Sequence, residues 1–194
     1  MMGKLKRIAG MLAVLLVLAA CGKEAPVDTN TVSVEKDGTI KTILIEDFTQ
    51  AYYDADELRK MIDDEVADYN KEAGADKVTV AAFEPEEGRV RLELDFAGSD
   101  DYAKFNSREF FSGTAAQALA LGMEIPDLVD AQGGETIASR KILENSAYKL
   151  VVTDEAQDVR LPGKVLYYSE GLTLKDKKTV TVSKEQEKAF IVYE

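Results

Sequence analysis

From Val90 to Phe96 the sequence alternates without a break. Val90, Leu92, Leu94 and Phe96 fall on one side of an extended chain, and Arg91, Glu93 and Asp95 on the other, because successive side chains of a strand point to opposite faces. A strand divided this way belongs to an antiparallel sheet with one face in water and one on a core. The covering layer is found in residues 54–73. There Leu58, Met61, Ile62, Val66 and Tyr69 recur at helical spacing, while Arg59, Lys60, Asp63, Asp64, Lys71 and Glu72 take the opposite side. Asp54 is placed to cap this helix, Glu57 sits where a capping box needs it, and Gly74 follows as the stop. The expected fold is α+β: an antiparallel sheet with one main amphipathic helix, 54–73, packed on it.

The flanking segments extend the same plan. Asp37-Gly38 between two β-rich runs predicts a hairpin of 31–36 and 39–46 closed by a type I′ turn. Pro85-Glu86-Glu87-Gly88 predicts a second hairpin joining 77–84 to 90–96. Ser99 is expected to cap a short helix from Asp100 to Asn106, with a brief strand at 108–111 behind it. Thr114 is expected to cap another short helix that Gly122 closes. Strands are expected at 148–153, 157–161, 164–169, 172–174, 178–183 and 189–193, a β-rich end in the form of a meander or small sandwich. A weak sub-boundary is placed near residue 145.

The N-terminus is of another kind. Lys4, Lys6 and Arg7 precede an uncharged, mostly apolar run from Ile8 to Ala20. Its thirteen residues are the layout of a secretory signal peptide and fall short of the roughly 20 needed to span a bilayer. The run ends in Leu18-Ala19-Ala20-Cys21, and Cys21 is the chain's sole cysteine. This ending resembles the lipobox of bacterial lipoproteins at every position. The resemblance implies cleavage after Ala20, a diacylglyceryl group on the Cys21 thiol, and acyl chains of the palmitate type that hold the protein to a membrane. Two or more buried chains anchor durably where one does not. Gly22 is not the Asp that in diderm bacteria tends to retain a lipoprotein at the inner membrane. The expected location is the outer face of the cytoplasmic membrane, or the outer membrane in a diderm host. Beyond the lipobox, the mature domain resembles small uncharacterised lipoproteins of Gram-positive bacteria in general character only. Residues 1–20 are thus read as signal peptide, 21–30 as lipidated Cys and flexible tether, and 31–194 as one extracytoplasmic domain.

Composition then narrows the chemistry. The chain carries 24 Lys+Arg against 36 Asp+Glu, a net charge of −12, and loss of the signal residues makes it more negative still. Such a domain is repelled by nucleic acid. Histidine is absent, and with Cys21 lipidated no free thiol remains. The usual general base and the common zinc and haem ligands are therefore missing. No cofactor is expected.

The remaining candidates are weighed residue by residue. Asp100-Asp101, Asp127 with Asp130, and Asp154-Glu155 with Asp158 are the acidic clusters able to offer oxygen to calcium, but none has the spacing of an EF-hand loop. Tyr52-Tyr53, Phe110-Phe111 and Tyr167-Tyr168 are aromatic pairs suited to stacking on a sugar or peptide; in a strand, one of each faces the core. Gly133-Gly134 reads as a loop. Lys175-Asp176-Lys177-Lys178 reads as a hairpin tip or a guard for a sheet edge. Together these features point to a membrane-anchored module of the cell envelope that acts by binding rather than by catalysis, with an envelope protein or glycan as partner. A carboxylate-based hydrolase of cell wall or glycan and a plain structural spacer are the alternatives.

Overall fold

The computed structural model describes residues 27–194. The signal peptide, Cys21 and the tether up to residue 26 lie outside the described residues. In chain order the elements are β1 (Thr31–Val34), β2 (Ile40–Asp47), α1 (Ala55–Ala73), β3 (Val78–Glu86), β4 (Arg89–Phe96), α2 (Ser99–Asn106), β5 (Phe110–Thr114), α3 (Ala115–Ala120), β6 (Leu128–Asp130), β7 (Thr136–Ile137), α4 (Ser139–Leu143), β8 (Lys149–Thr153), β9 (Asp158–Arg160), β10 (Val165–Tyr168), β11 (Thr173–Leu174), β12 (Thr179–Thr181) and β13 (Ala189–Tyr193). This is an α+β fold built on two sheets. One runs β11-β12-β9-β1-β2-β4-β3, the other β5-β8-β13-β10-β6-β7.

The expected C-terminal strands all form, and they are dealt between both sheets. β9, β11 and β12 extend the first sheet, while β8, β10 and β13 make the middle of the second. Within the first sheet the N-terminal and C-terminal strands meet at β1–β9, with Val32 opposite Val159, a parallel pair where the others among the described residues are antiparallel. Both sheets therefore draw strands from both sides of residue 145.

Burial follows from this layering. Val32, Val34, Ile40, Leu94 and Phe96 of the first sheet share one core with Phe110, Val151, Val165 and Ile191 of the second. Phe111, Leu150, Val152, Phe190 and Val192 face the other way and form a second cluster with Ala115 and Ala118 of α3 and Ile142 of α4. β13 is therefore apolar at every position, AFIVY, because it is covered on both faces. The helix α4 carried no clear sequence signal: it is five residues long and has no side-chain cap.

α1 lies on the inner face of the first sheet as expected. The Asp54 carboxylate accepts from the backbone N–H groups of Asp56 (2.8 Å) and Glu57 (3.0 Å), and Gly74 ends the helix in the left-handed conformation. Its C-terminal half meets the core through Val66, with Ile62 and Tyr69 beside it. Met61, expected in the core, is 67% exposed. It stands at the margin of the helical stripe: Ile62 beside it is half-buried against the core, while Met61 turns toward the edge of the helix.

Several boundaries differ from the sequence reading for local reasons. The first hairpin closes through a longer loop than a type I′ turn. Gly38 N–H bonds Glu35 O, Glu35 N–H bonds Thr39 O, and only Gly38 takes positive φ, at 88°. That is a type I turn followed by a left-handed glycine, which frees Asp37 from the strained conformation and lets its carboxylate hold Thr39. In the second hairpin the turn is Glu87-Gly88, and Pro85 sits inside β3. β3 is an edge strand, where the missing N–H costs nothing. Gly98, not Ser99, is the N-cap of α2. Residues 27–30, read as the end of a flexible tether, are fastened to the first sheet. Arg91 donates to Val27 O at 2.8 Å, the Thr29 hydroxyl donates to Asp158 Oδ2 at 2.8 Å, and Asn30 Oδ1 accepts from Ile45 N–H at 2.8 Å.

Candidate functional site

The overhang of α1 leaves a groove. Its floor is the inner face of the first sheet, Leu44 of β2, Val90 and Leu92 of β4 and Phe83 of β3. Leu58, Met61 and Ile62 of α1 form one wall, and Phe48, Tyr52 and Tyr53 of the β2–α1 loop form the other. The cavity volume is about 520 Å³, within the range of pockets that hold small ligands or side-chain anchors.

The aromatic wall is ordered by its own contacts. Phe48 and Tyr53 stack with centroids 5.0 Å apart and planes 24° apart, and Tyr52 meets Tyr53 edge-on at 4.9 Å. Both are favoured ring arrangements. A hydrogen bond with Tyr52 lifts the Tyr53 phenol above its ordinary range, so it stays neutral. Tyr52 is 77% exposed and Tyr53 43%. The strand rule that assigns one ring of the pair to the core does not apply here, because β2 ends at Asp47 and α1 begins at Ala55. Adjacent loop residues are free to face the same groove.

The rim is acidic. Glu46, Asp47, Asp54 and Glu57 border the groove, and no Lys or Arg is among the described residues that line it. Asp47 accepts from the Thr49 hydroxyl (2.6 Å) and backbone N–H (2.9 Å), which holds its carboxyl below the usual range. Arg59 stands just outside, 5.8 Å above the Phe83 ring, and is paired with Asp63 at 2.8 Å. The groove thus presents apolar and aromatic surface inside and negative charge around it.

The other sequence candidates are placed elsewhere and are mostly absorbed by the fold. Asp101 accepts from the Tyr69 hydroxyl at 3.1 Å. Asp127 accepts from Ser139 N–H, and Asp130 from Gln132 and Gly133 N–H, which makes Gly133-Gly134 part of the β6–β7 turn. Glu155 accepts from the buried Tyr102 hydroxyl, while Asp158 takes Lys175 Nζ at 2.6 Å and Thr181 Oγ1 at 2.6 Å. Among the described residues no three acidic side chains gather as a metal cage. Phe110 and Phe111 do point to opposite faces, and both are buried because each face has its own core. Tyr168 packs against the first core, while Tyr167 packs against the second and meets Tyr148 at 5.9 Å. Lys175 to Lys178 form the tip of the β11–β12 hairpin, at a sheet edge.

Sequence reasoning singled out the Tyr52-Tyr53 pair but not its partners. Phe48, Phe83 and Leu44 come from three elements that only the tertiary fold assembles. The available signal was Phe48 and Tyr52-Tyr53 crowded into the short stretch before a helix cap, where buried aromatics are not required.

Fold and site together define a two-sheet α+β domain with an acidic-rimmed aromatic groove. Compared with known proteins, the chain matches no family, and no curated protein and no solved structure is significantly similar to it.

Proposed function

We propose that this protein is a lipid-anchored, extracytoplasmic binding module of a bacterial envelope, held through Cys21 and engaging its partner at the groove beside α1. The observation that carries the binding role is the exposure of Tyr52 and Met61 on an apolar floor that the fold leaves open. A rimmed apolar depression is a common mark of an interaction site. The Leu18-Ala19-Ala20-Cys21 ending supports the anchor. The first described residues add a geometric point. Asn30 Nδ2 donates to Glu46 Oε1 at 3.3 Å, while Val27 O accepts from Arg91 on the face of β4 opposite the groove floor. The six peptide links from Cys21 to Val27 span at most about 20 Å.

The test joins the two halves of the reading. A photo-crosslinking aromatic amino acid is placed at position 52 of the full-length protein in living cells. The same residue at position 119, exposed on α3, serves as comparison. Discrete adducts are expected at 52, not at 119, and they should fade with Cys21→Ser. Mass spectrometry of the N-terminal peptide should show a diacylglyceryl thioether on Cys21. An unmodified Cys21 removes the anchor; identical adduct patterns at the two positions remove the groove.

A further inference from the structure

We infer that the occupant of the groove is a cationic amphipathic peptide segment, with apolar anchors for the floor and Lys or Arg for the rim. This rests on the binding reading above and adds the chemical class of the partner. Glu46, Asp47 and Glu57 offer carboxylates to such a segment, and Asp54, although it caps α1, adds its charge to the same rim. No described lining residue offers a cation in return. An anionic or strictly neutral ligand would leave this charge uncompensated. A basic segment is steered in by the field and pairs with it at the end. The exposed faces of Tyr52 and Tyr53 suit the same partner, because aromatic quadrupoles attract Arg and Lys. Met61, unbranched and polarizable, is the kind of side chain that adapts to varied apolar anchors. A second copy of the chain is disfavoured, since two mature molecules, each more negative than the −12 of the whole sequence, repel one another.

Full-length lipidated protein in neutral phosphatidylcholine nanodiscs is titrated with a fluorescent twelve-residue Leu/Lys peptide and followed by anisotropy, with empty discs as the blank. Two further probes are the same peptide with every Lys changed to Glu, and with every Leu changed to Ser. The Leu/Lys peptide should bind at least about tenfold more tightly than either, and Tyr52→Ser with Met61→Ser should cost about tenfold, as loss of central anchors does. Glu124→Gln with Glu187→Gln, charges outside the groove lining, should change affinity less than about twofold. Thermal melting of the groove variant checks that it remains folded. Equal affinity for the Lys and Glu peptides overturns the cationic class while leaving a binding groove. An equal loss in the two double variants shows adsorption to general charge and overturns the inference. Binding of none of the peptides overturns it too, while the position-52 adducts still decide the binding reading separately.

Discussion

Lys175 Nζ stands 2.6 Å from Asp158 Oδ2, at a carboxylate whose side chain is 7% exposed. The same carboxylate accepts from Thr181 on β12 and from Thr29, just before β1. One acid thus ties the start of the described chain to the strands that close the sheet near its end. Burial alone would raise the Asp158 carboxyl, but the bonds from Lys175, Thr181 and Thr29 outweigh it and hold the group below its ordinary range.

Asp158→Ala is expected to destabilise the domain by about 2–3 kcal/mol, the scale of bonds to a buried charge, kept modest because Lys175 is 45% exposed and can return to water. The sign with pH follows from the direction of the shift. A carboxyl lowered in the folded state contributes fully above its unfolded value of about 3.9 and loses that contribution as pH falls through the lower folded value. Urea unfolding should show a constant gap between wild type and variant from pH 8 to 5 that narrows below about pH 4. A gap that grows on acidification would show that Asp158 is not held ionised by these partners.

Gly163 is fixed by space. A Cβ there would come within 1.9 Å of Glu194 O, the carbonyl that Lys164 N–H bonds at 2.9 Å. Backbone cannot step aside without unpairing the end of β13 from the start of β10. Gly163→Ala is therefore expected to cost about 1–3 kcal/mol, the range for forced overpacking. The loss should appear in hydrogen exchange as weakened protection at Lys164 and Glu194, with the β2–β4 ladder unaffected. Equal loss of protection in both places would point to a global effect instead.

The parts of the fold that could be read from sequence were those set by local pattern. The β4 alternation and the stripe of α1 placed a helix on a sheet, and Asp54 and Gly74 marked its ends to the residue. Strand order was not legible, because the parallel pairing of β1 with β9 joins Val32 to Val159 across more than a hundred residues of sequence. Burial on both faces of β13 and the exposure of Met61 have the same origin: periodicity says which side chains share a face, and only the neighbouring layers decide how far that face is covered. The groove was legible only in Tyr52-Tyr53, since its floor consists of ordinary core-type residues that the second sheet does not reach.

Tyr102 offers a different kind of test. Its ring is buried against Phe96 and Phe110 at 5.2 and 4.7 Å, and its hydroxyl donates to Glu155 and accepts from Gln157 Nε2 at 3.0 Å. Burial first, and then the Glu155 charge, push the phenol upward, so it remains a neutral donor throughout the accessible range. Tyr102→Phe keeps the packing and removes both bonds. The expected cost is about 1–2 kcal/mol, the net value of bonds whose partners are left incompletely satisfied. Tyr102→Ala should cost about 3–5 kcal/mol, because it adds a cavity in the main core. Similar losses for both variants would assign the residue's contribution to the hydroxyl.

Ile191 and Met61 separate packing from display. Ile191 is fully buried in β13, whereas Met61 is 67% exposed. Ile191→Ala is expected to cost about 2–5 kcal/mol and Met61→Ser to stay within about 0.5 kcal/mol. Should Met61→Ser destabilise as a core residue does, the groove is a filled core in solution and its role as a site falls.

The rim charge gives the groove a dependence on salt and pH that an apolar depression alone would not have. Exposed pairs are screened as the Debye length falls from about 10 Å at 0.1 M to 3 Å at 1 M salt. Affinity for the Leu/Lys peptide should therefore decline steadily with added sodium chloride. Acid removes the same attraction by another route. The Thr49 bonds keep Asp47 ionised below the usual carboxylate range, so attraction at this point of the rim outlasts that of an ordinary surface acid. Binding should hold from pH 8 to 5 and fall away below about pH 4, where carboxylates take up protons. Thr49→Val removes the hydroxyl bond and retains the backbone one. It should move the acid limb upward in pH and leave the plateau affinity unchanged. Were the limb to stay in place in that variant, Asp47 would not be the group that holds the rim's charge in acid.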